Sequence, residues 1–262
     1  MPDPYLLPRH PAEIDRLDIQ HYAFRAVLGA NYLAPIGKPR RVLDAGCGSG
    51  QWGFEACEEF PEALVVGVDL VEGKPDKPRG YVFVKVNLLE GLPFGNDRFD
   101  YVHQRYLWGG IPLKSWPNVV KELVRVSRPG GWVELIEGPC SAERMGPATE
   151  RMYGLIRELA ATRGLDGRGV VVDSLDRYLR QAGLESVERR NDALPIGPWA
   201  GEVGSLMLTD FRAWFTRASE ALQARSMLST DEARGLIRAA QEEAETGQMA
   251  WPAAIAMGRK PG

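Results

Sequence analysis

Residues 40–70, RRVLDAGCGSGQWGFEACEEFPEALVVGVDL, decide the fold of this chain. An apolar run at 42–45 leads into three glycines at positions 46, 48 and 50, a helical segment follows over 50–59, and a second apolar run spans 64–70. A strand that enters a helix through glycines presents bare backbone and the first helical N–H groups to a ligand. The stretch therefore predicts a strand–helix–strand unit with a binding site at the end of its first strand.

The segments that follow repeat this alternation. Apolar runs at 81–87, 99–104 and 132–137 predict three more buried strands, and the amphipathic run 116–127 predicts a helix that stops at the RPGG turn of residues 128–131. Strands of nearly continuous apolar residues that alternate with helices are typical of a parallel sheet covered on both faces. We therefore expect a doubly wound α/β fold.

The pattern changes after residue 138. Helices are predicted at 11–29 near the N-terminus and at 148–164, 173–183 and 202–222, and Ser229–Glu232 fits a capping box that opens a last helix to about residue 245. Two further strands are predicted at 184–190 and 249–259, with Pro252 tolerable only at a strand start or on an edge. We expect one domain, 1–262, with a mostly parallel, seven-stranded Rossmann-like sheet. Its parts are an N-terminal lid helix (1–35), a cofactor-binding core (36–138) and a remainder (139–262) that carries helical cap inserts at about 141–167 and 198–246.

Composition limits the classes of protein to consider. The 262 residues are 44% hydrophobic and 26% charged, as in soluble globular domains, and the net charge of -3 argues against a surface for duplex nucleic acid. There is no run of about eighteen apolar residues to span a membrane and no signal-peptide layout, so we expect a cytoplasmic protein. Three scattered cysteines and three histidines predict neither a disulfide framework nor a metal site.

The polar residues around the glycines indicate which ligand is bound. A dinucleotide fingerprint needs glycine at position 51, where Gln51 stands, and the Asp44 carboxylate suits an ammonium better than a pyrophosphate. Asp69 ends the second strand, where a carboxylate can accept both hydroxyls of a ribose. At the end of the third strand the Asn87 amide oxygen can accept from an adenine amine while the Leu88 N–H donates to the ring. Tail, ribose and base in this order match S-adenosylmethionine.

Over residues 42–137 the chain resembles the class I S-adenosylmethionine-dependent methyltransferases in the runs VLDAGCGSG, VVGVDL, LPFGNDRFDYV and LVRVSRPGGWVELIE. It also resembles the LaeA-like group within that family, in the runs YLLPRHPAEIDRLDIQHYAF, FDYVHQRYL and LPIGPW. The resemblance implies S-adenosylmethionine as cofactor and S-adenosylhomocysteine as product. Two departures are Asn87, where the family usually has aspartate, and residues 106–112, which lack a histidine that many relatives carry there. The candidate cofactor-binding residues are Asp44, Gly46, Cys47, Gly48, Gly50, Trp52, Asp69, Leu70, Asn87, Leu88 and Gln104.

Catalytic and substrate-binding residues are less well defined. His103, at the end of the fourth strand, and His21, on the lid helix, are candidates for a base or a substrate contact, although both can be merely structural. Arg105 is either an ion-pair partner of Asp100 or Glu137 or the holder of an anionic substrate group. The remaining candidates for substrate binding are Tyr5, Tyr22, Tyr106 and Trp214, the last within a stripe (Met207, Phe211, Trp214 and Phe215) that forms either core or pocket lining.

These residues favour an enzyme that methylates oxygen, nitrogen or carbon of a small apolar or aromatic metabolite, with secondary metabolism as the setting that the resemblance implies. A protein-directed methyltransferase and a non-catalytic S-adenosylmethionine-binding regulator remain alternatives. A nicotinamide oxidoreductase is disfavoured by Gln51 and Asp44. We expect a small-molecule partner, no nucleic acid and no membrane, and we leave a homo-oligomer open.

Overall fold

The computed structural model describes Leu6 and residues 11–262, with side chains from Glu13 onward. Within these residues one sheet contains the strands β1 Arg41–Ala45, β2 Leu64–Asp69, β3 Tyr81–Lys85, β4 Phe99–Arg105, β5 Ser127–Glu137, β6 Glu185–Ile196 and β7 Met249–Arg259. The α-helices are α1 Pro11–Leu28, α2 Gln51–Glu59, α3 Trp116–Val126, α4 Pro147–Thr162, α5 Leu175–Gln181, α6 Gly201–Gln223 and α7 Thr230–Thr246.

The sheet confirms the predicted doubly wound α/β fold. The strand order is β3-β2-β1-β4-β5-β7-β6; β1 to β5 pair in parallel, and β7 runs antiparallel to both β5 and β6. The order of the chain reverses between β1 and β4, and in open α/β sheets ligands bind outside the carboxyl ends of the strands at such a point. The topology thus places the glycine loop after β1 and the residues after β4 at one crevice.

The central strands are buried because helices cover both faces of the sheet. Val42, Leu43, Val65 and Val102 have no exposed side chain, and strands of this kind carry apolar residues at consecutive positions rather than at every second one. Burying each such side chain stabilises the fold by about 1.5–3 kcal/mol. This rigid core holds the strand ends at the crevice.

Two strands are longer than their sequence pattern predicts. β6 continues to Ile196 because residues 191–196, which begin with Asn191 and Asp192 and contain Pro195, pair with β7 from Asn191↔Ala254 to Ile196↔Met249. Pro252 lies near the start of β7 and before Ala254, where the pairing with β5 begins, so its missing N–H costs β7 no bond to β5. β5 starts at Ser127, five residues earlier than predicted, and its register with β4 shifts between Phe99 and Tyr101.

Of the helices that follow β5 and β6, α5 packs against β6 and β7, whereas α4, α6 and α7 pack against one another. The capping box predicted at Ser229–Glu232 is confirmed, since Ser229 Oγ accepts from the Glu232 N–H and the Glu232 carboxylate accepts from the Ser229 N–H. α1 packs against α6 on the same side as the crevice.

Within the described part of the chain, the helices are too short or too polar to traverse a lipid bilayer.

Candidate active site

A cavity of about 510 Å³ opens at the carboxyl edge of the sheet, between β1 and the segment after β4. One half is lined by the glycine loop and by the residues that follow β2 and β3. The other half is lined by α1, the segment after β4, and single residues of α6 and β7. The predicted residues that line it are Asp44, Gly46, Cys47, Gly48, Trp52, Asp69, Leu70, Asn87, Leu88, His21, His103, Arg105, Tyr106 and Trp214.

The glycine loop needs its glycines. Gly46, Gly48 and Gly50 have φ values of +72°, +54° and +88°, a left-handed region in which side chains are disfavoured. A Cβ at position 46 would overlap the Leu107 side chain, and one at position 48 would lie 3.0 Å from Leu17 Cδ1 of α1. Gly50 does not line the cavity; it precedes α2 and sets the turn into that helix. Gly46 and Gly48 are therefore required by their backbone conformation and by the packing of Leu107 and Leu17, and both also line the cavity.

Asp69 has a structural role that its position in the sequence does not reveal. Its Oδ2 accepts from the Gly48 N–H at 3.0 Å, and its Oδ1 accepts from the Leu70 N–H at 2.6 Å. The carboxylate therefore ties the glycine loop to the end of β2 while it lines the cavity. The carboxylate also lines the cavity at the end of β2, which is where the sequence predicts the ribose contact.

The side chain of Asn87 is oriented by a short 3-10 turn, Leu88–Glu90. Asn87 Oδ1 accepts from the Leu89 N–H at 3.1 Å, and Nδ2 donates to Glu90 Oε1 at 2.8 Å. A second carboxylate at position 87 would face that of Glu90, which would be unfavourable because like charges repel. The amide is thus suited to this chain, and Asn87 lines the cavity.

Asp44 and His103 form a buried pair beneath the cavity. His103 Nδ1 lies 2.9 Å from Asp44 Oδ1, and the imidazole stacks on Trp52 with ring centroids 3.8 Å apart and an interplanar angle of 7°. In register, Asp44, His103 and Glu134 are neighbours on β1, β4 and β5, and His103 is only 1% exposed. These contacts hold the imidazole in place, so His103 orients Asp44.

Asp44 Oδ2 is buried and has no hydrogen-bond partner among the described residues. A buried carboxylate oxygen left without a donor is costly, and an ammonium group in the cavity would satisfy it. Together with the bare glycine loop, this oxygen fits the amino-acid end of S-adenosylmethionine.

Both nitrogens of His21 face charged side chains. Nδ1 lies 3.1 Å from Arg105 Nη2, and Nε2 lies 3.1 Å from Glu55 Oε2, which also contacts Arg25. Burial, assisted by the charge of Arg105, lowers the pKa of His21 to about 4 despite Glu55. His21 is therefore a neutral acceptor that positions Arg105, and neither ring nitrogen is open for use as a base.

Arg105 has neither of the predicted ion-pair partners. Asp100 accepts from the N–H groups of Arg40 and Arg41 and pairs with Arg128, and Glu137 accepts from Gln104 and from the Leu107 and Trp108 N–H groups. The prediction of an Asp100 or Glu137 partner was wrong. Arg105 instead turns toward α1 and the cavity.

Three other expectations need correction or lie outside the structure. Tyr22 is 44% exposed and does not line the cavity, because its side chain points to the solvent side of α1. Gln104 is fully buried, donates to Glu137 Oε1 at 2.6 Å and is not among the described residues that line the cavity. Its neighbours His103 and Arg105 do line the cavity, because side chains alternate along β4. Tyr5 lies outside the described residues.

The half of the cavity lined by the segment after β4, α6 and β7 carries several aromatic side chains. Tyr106 stacks on Trp251, with centroids 4.7 Å apart, and meets Phe24 edge-on at 5.5 Å. Trp214 lines the cavity and packs on Tyr153, whereas Met207, Phe211 and Phe215 are buried in α6 as core residues. Trp251 was not predicted, because nothing in its strand pattern marks it as a site residue.

A polar cluster joins α1 to α6 at the cavity. Arg16 Nη1 donates to Asp210 Oδ1 at 2.7 Å, Gln20 Nε2 donates to Asp210 Oδ2 at 3.3 Å, and Arg16 also contacts Glu13. The Arg16 and Asp210 side chains are 5% and 2% exposed, so this is a buried ion pair across 194 residues of sequence. We refer to Arg16, Gln20 and Asp210 as the α1 latch.

Comparison with known proteins agrees with this geometry. Residues 18–189 match the family model described as a methyltransferase domain. The secondary metabolism regulator laeA of Aspergillus fumigatus is 34% identical over 206 residues, which are 74% of this chain and 54% of that protein. Methyltransferase pytC of Aspergillus terreus is 29% identical over 219 residues, 79% of this chain and 67% of that protein. The chain thus spans about half the length of the laeA proteins that it matches.

Solved structures show the same fold. Phosphoethanolamine N-methyltransferase 2 of Haemonchus contortus, in a complex that contains S-adenosylhomocysteine, superposes with a TM-score of 0.55 at 17% identity over 94% of this chain and 58% of that one. The YcgJ protein of Bacillus subtilis gives a TM-score of 0.52 at 17% identity over 93% and 99% of the two chains. With the family match, the cavity and the glycine loop, these findings show that the chain belongs to the class I S-adenosylmethionine-dependent methyltransferases and is LaeA-like within them.

Proposed function

We propose that this methyltransferase transfers the methyl group to oxygen, nitrogen or carbon of a small apolar or aromatic metabolite. The observation that carries the proposal is the second half of the cavity. It is walled by Tyr106, Trp214 and Trp251 and covered by α1, which the α1 latch fixes to α6. Small-molecule sites are concave and mostly apolar, with a few polar groups that fix orientation.

The chemistry requires placement more than it requires special catalytic groups. When bound, S-adenosylmethionine supplies an electrophilic methyl carbon on a positively charged sulfur. A nucleophilic oxygen, nitrogen or carbon of the acceptor would take up this methyl group, and S-adenosylhomocysteine and a proton passed to solvent would be the other products. Holding the acceptor about 3–3.5 Å from the methyl carbon can supply roughly 7–11 kcal/mol. The bare glycine loop, Asp44 and Asp69 hold one reactant, and the aromatic half with the covering α1 holds the other.

The test has two stages. Acid extraction of the purified protein, followed by mass spectrometry, should reveal co-purified S-adenosylhomocysteine. A panel of phenolic, indolic and other aromatic metabolites should then be incubated with methyl-labelled cofactor, with Gly48→Val as the inactive control. We expect label in at least one metabolite with the wild-type protein only. Label that enters only protein, or no metabolite at all, would contradict the proposal.

A protein substrate is a second candidate. A laeA relative from Emericella nidulans, 31% identical over 206 residues, is named protein-methionine methyltransferase, and other relatives are named secondary metabolism regulators. Electrophoresis of the labelled reaction distinguishes the candidates. Label in a protein band, including the enzyme itself, supports a protein substrate, whereas cofactor binding without any transfer supports a regulator that does not catalyse.

A further inference from the structure

Arg105 is a cation in the cavity wall without a carboxylate partner. Among the residues that the structure describes, its one hydrogen-bonding contact is His21 Nδ1, at 3.1 Å, and its guanidinium lies 5.2 Å from the centre of the Phe24 ring. Arginine carries five N–H donors, so most of them remain available. A half-buried cation is stabilised by a counterion or by hydrogen-bond acceptors, and the described residues supply one neutral imidazole.

Each nearby carboxylate contacts a group other than Arg105, although Asp44 Oδ2 has no donor among the described residues. Glu55 faces His21 and Arg25, and Glu134 Oε2 accepts from two N–H groups of the segment before β1. Asp44 pairs with His103 through Oδ1. Burial lowers the pKa of Arg105 even though Asp44 and Glu55 act in the opposite direction. The charge is therefore poorly compensated within the protein.

Tyr106 adds a hydroxyl donor beside this cation. Its φ of +53° interrupts the alternation of side chains along β4, and both Arg105 and Tyr106 line the same cavity as a result. Left-handed backbone at a bulky residue is strained and is typical of functional sites. The Tyr106 hydroxyl is buried and has no hydrogen-bond partner among the described residues. Burial and the Glu137 carboxylate raise its pKa well above the usual value, so it stays protonated and can donate.

The position of Tyr106 favours the acceptor over the cofactor as the source of the anion, although Arg105 also lies near Asp44. Tyr106 belongs to the aromatic half of the cavity, stacked on Trp251, whereas the cofactor residues lie along β1, β2 and β3. From these contacts we infer that Arg105, positioned by His21, and Tyr106 together bind an anionic oxygen of the acceptor. The acceptor is then an acidic aromatic compound, one that carries a carboxylate or an ionised hydroxyl. This inference rests on the proposed small-molecule function and narrows it.

Binding of model ligands tests the inference without requiring turnover. The 262-residue chain, saturated with S-adenosylhomocysteine, should be titrated with salicylate and with its neutral amide, salicylamide. We expect salicylate to bind about tenfold more tightly, as for a charge-assisted hydrogen bond. Arg105→Gln should abolish this preference, and Tyr106→Phe should reduce it while salicylamide affinity is kept. Arg128→Gln, a surface arginine paired with Asp100, is the matched control and should leave the preference unchanged.

Further variants separate recognition from loss of fold. Arg105→Lys keeps the charge without the planar fork and should retain part of the preference. His21→Ala should weaken it, and His21→Gln, which restores an acceptor, should recover it. Thermal melts report the fold of each variant. No salicylate binding at millimolar concentration, or equal binding of the two ligands by the wild type, would overturn the inference.

A parallel titration tests whether the anionic group that Arg105 binds belongs to the cofactor and not to the acceptor. If Arg105→Gln weakens S-adenosylhomocysteine but not 5′-methylthioadenosine, which lacks the amino-acid tail, and leaves the salicylate preference intact, Arg105 binds the cofactor carboxylate and the inference fails. The proposed function fails separately, when labelled methyl groups reach no metabolite even though the salicylate preference is present.

Discussion

Replacement of Asp69 by alanine should weaken cofactor binding through two effects that can be separated. The carboxylate holds the Gly48 N–H at 3.0 Å and the Leu70 N–H at 2.6 Å, and it faces the cavity where a ribose would lie. A hydrogen bond to a charged group contributes about 1.5–3 kcal/mol. Loss of the ribose contacts should therefore cost about 2–3 kcal/mol, roughly a 30- to 160-fold rise in Kd for S-adenosylhomocysteine.

The assay is calorimetric titration of wild type and Asp69→Ala with two ligands, S-adenosylhomocysteine and its 2′,3′-dideoxy analogue. If Asp69 binds the ribose, the penalty of the substitution should appear with the first ligand and largely vanish with the second, because the analogue has no hydroxyls to lose. Asp97→Ala, an exposed carboxylate paired with Lys260, is the control and should change neither affinity.

An equal penalty with both ligands would refute the reasoning. It would mean that Asp69 acts only by bracing the glycine loop through Gly48, and the predicted ribose contact would have to be assigned elsewhere. If Asp69→Ala changed the affinity for neither ligand, Asp69 would not contribute to cofactor binding. The loop would then also keep its shape without the backbone hydrogen bonds to this carboxylate.

Three further substitutions test other parts of the structure. Gly48→Val forces a branched side chain into a backbone with φ +54° and toward Leu17. Calorimetry should show that the affinity for the cofactor falls by more than about 30-fold. The melting temperature should fall only slightly, since the backbone strain is about 1–2 kcal/mol. Asp210→Ala breaks the α1 latch and should cost about 3 kcal/mol of α1 docking, seen as faster hydrogen exchange in residues 11–28, whereas the exposed Asp231→Ala should not. Burial raises the pKa of Glu137 from 4.5 to about 8, so the native state keeps a proton that the unfolded chain releases. Unfolding stability should therefore fall as pH rises from about 4.5 to 8, by up to about 1.4 kcal/mol per pH unit, and Glu137→Gln should flatten that slope in urea titrations.

The cofactor half of the site could be predicted because its residues come from neighbouring strand ends. In a parallel sheet the carboxyl ends of β1, β2 and β3 lie side by side, so Asp44, Asp69 and Asn87 are brought together once the strands are recognised. What the pattern did not reveal is how each side chain is held. The Asp69 bonds to the loop and the Asn87 contact with Glu90 depend on the detailed turn geometry.

The errors have a common physical cause. Apolar periodicity assigns the buried face of a helix, but the inward face of α1 carries Arg16, Gln20 and His21, which are buried because partners on other elements satisfy them. Tyr22, one position further, is directed to solvent. In the same way Gln104 and its neighbours alternate across β4, and a period of two cannot tell which face meets the cavity.

The aromatic half of the cavity is built differently, and this difference limits what a single sequence reveals. Its walls are contributed by α1, α6, β7 and the segment after β4, and its closure depends on an ion pair between residues 194 positions apart. No local periodicity fixes the relative placement of such elements; packing of the whole cap does. Families that share a cofactor can therefore keep the short, consecutive strand ends that bind it while the distant cap segments change with the acceptor. On this view Arg105, Tyr106 and Trp251, rather than the glycine loop, are the residues at which the specificity of this enzyme should be sought.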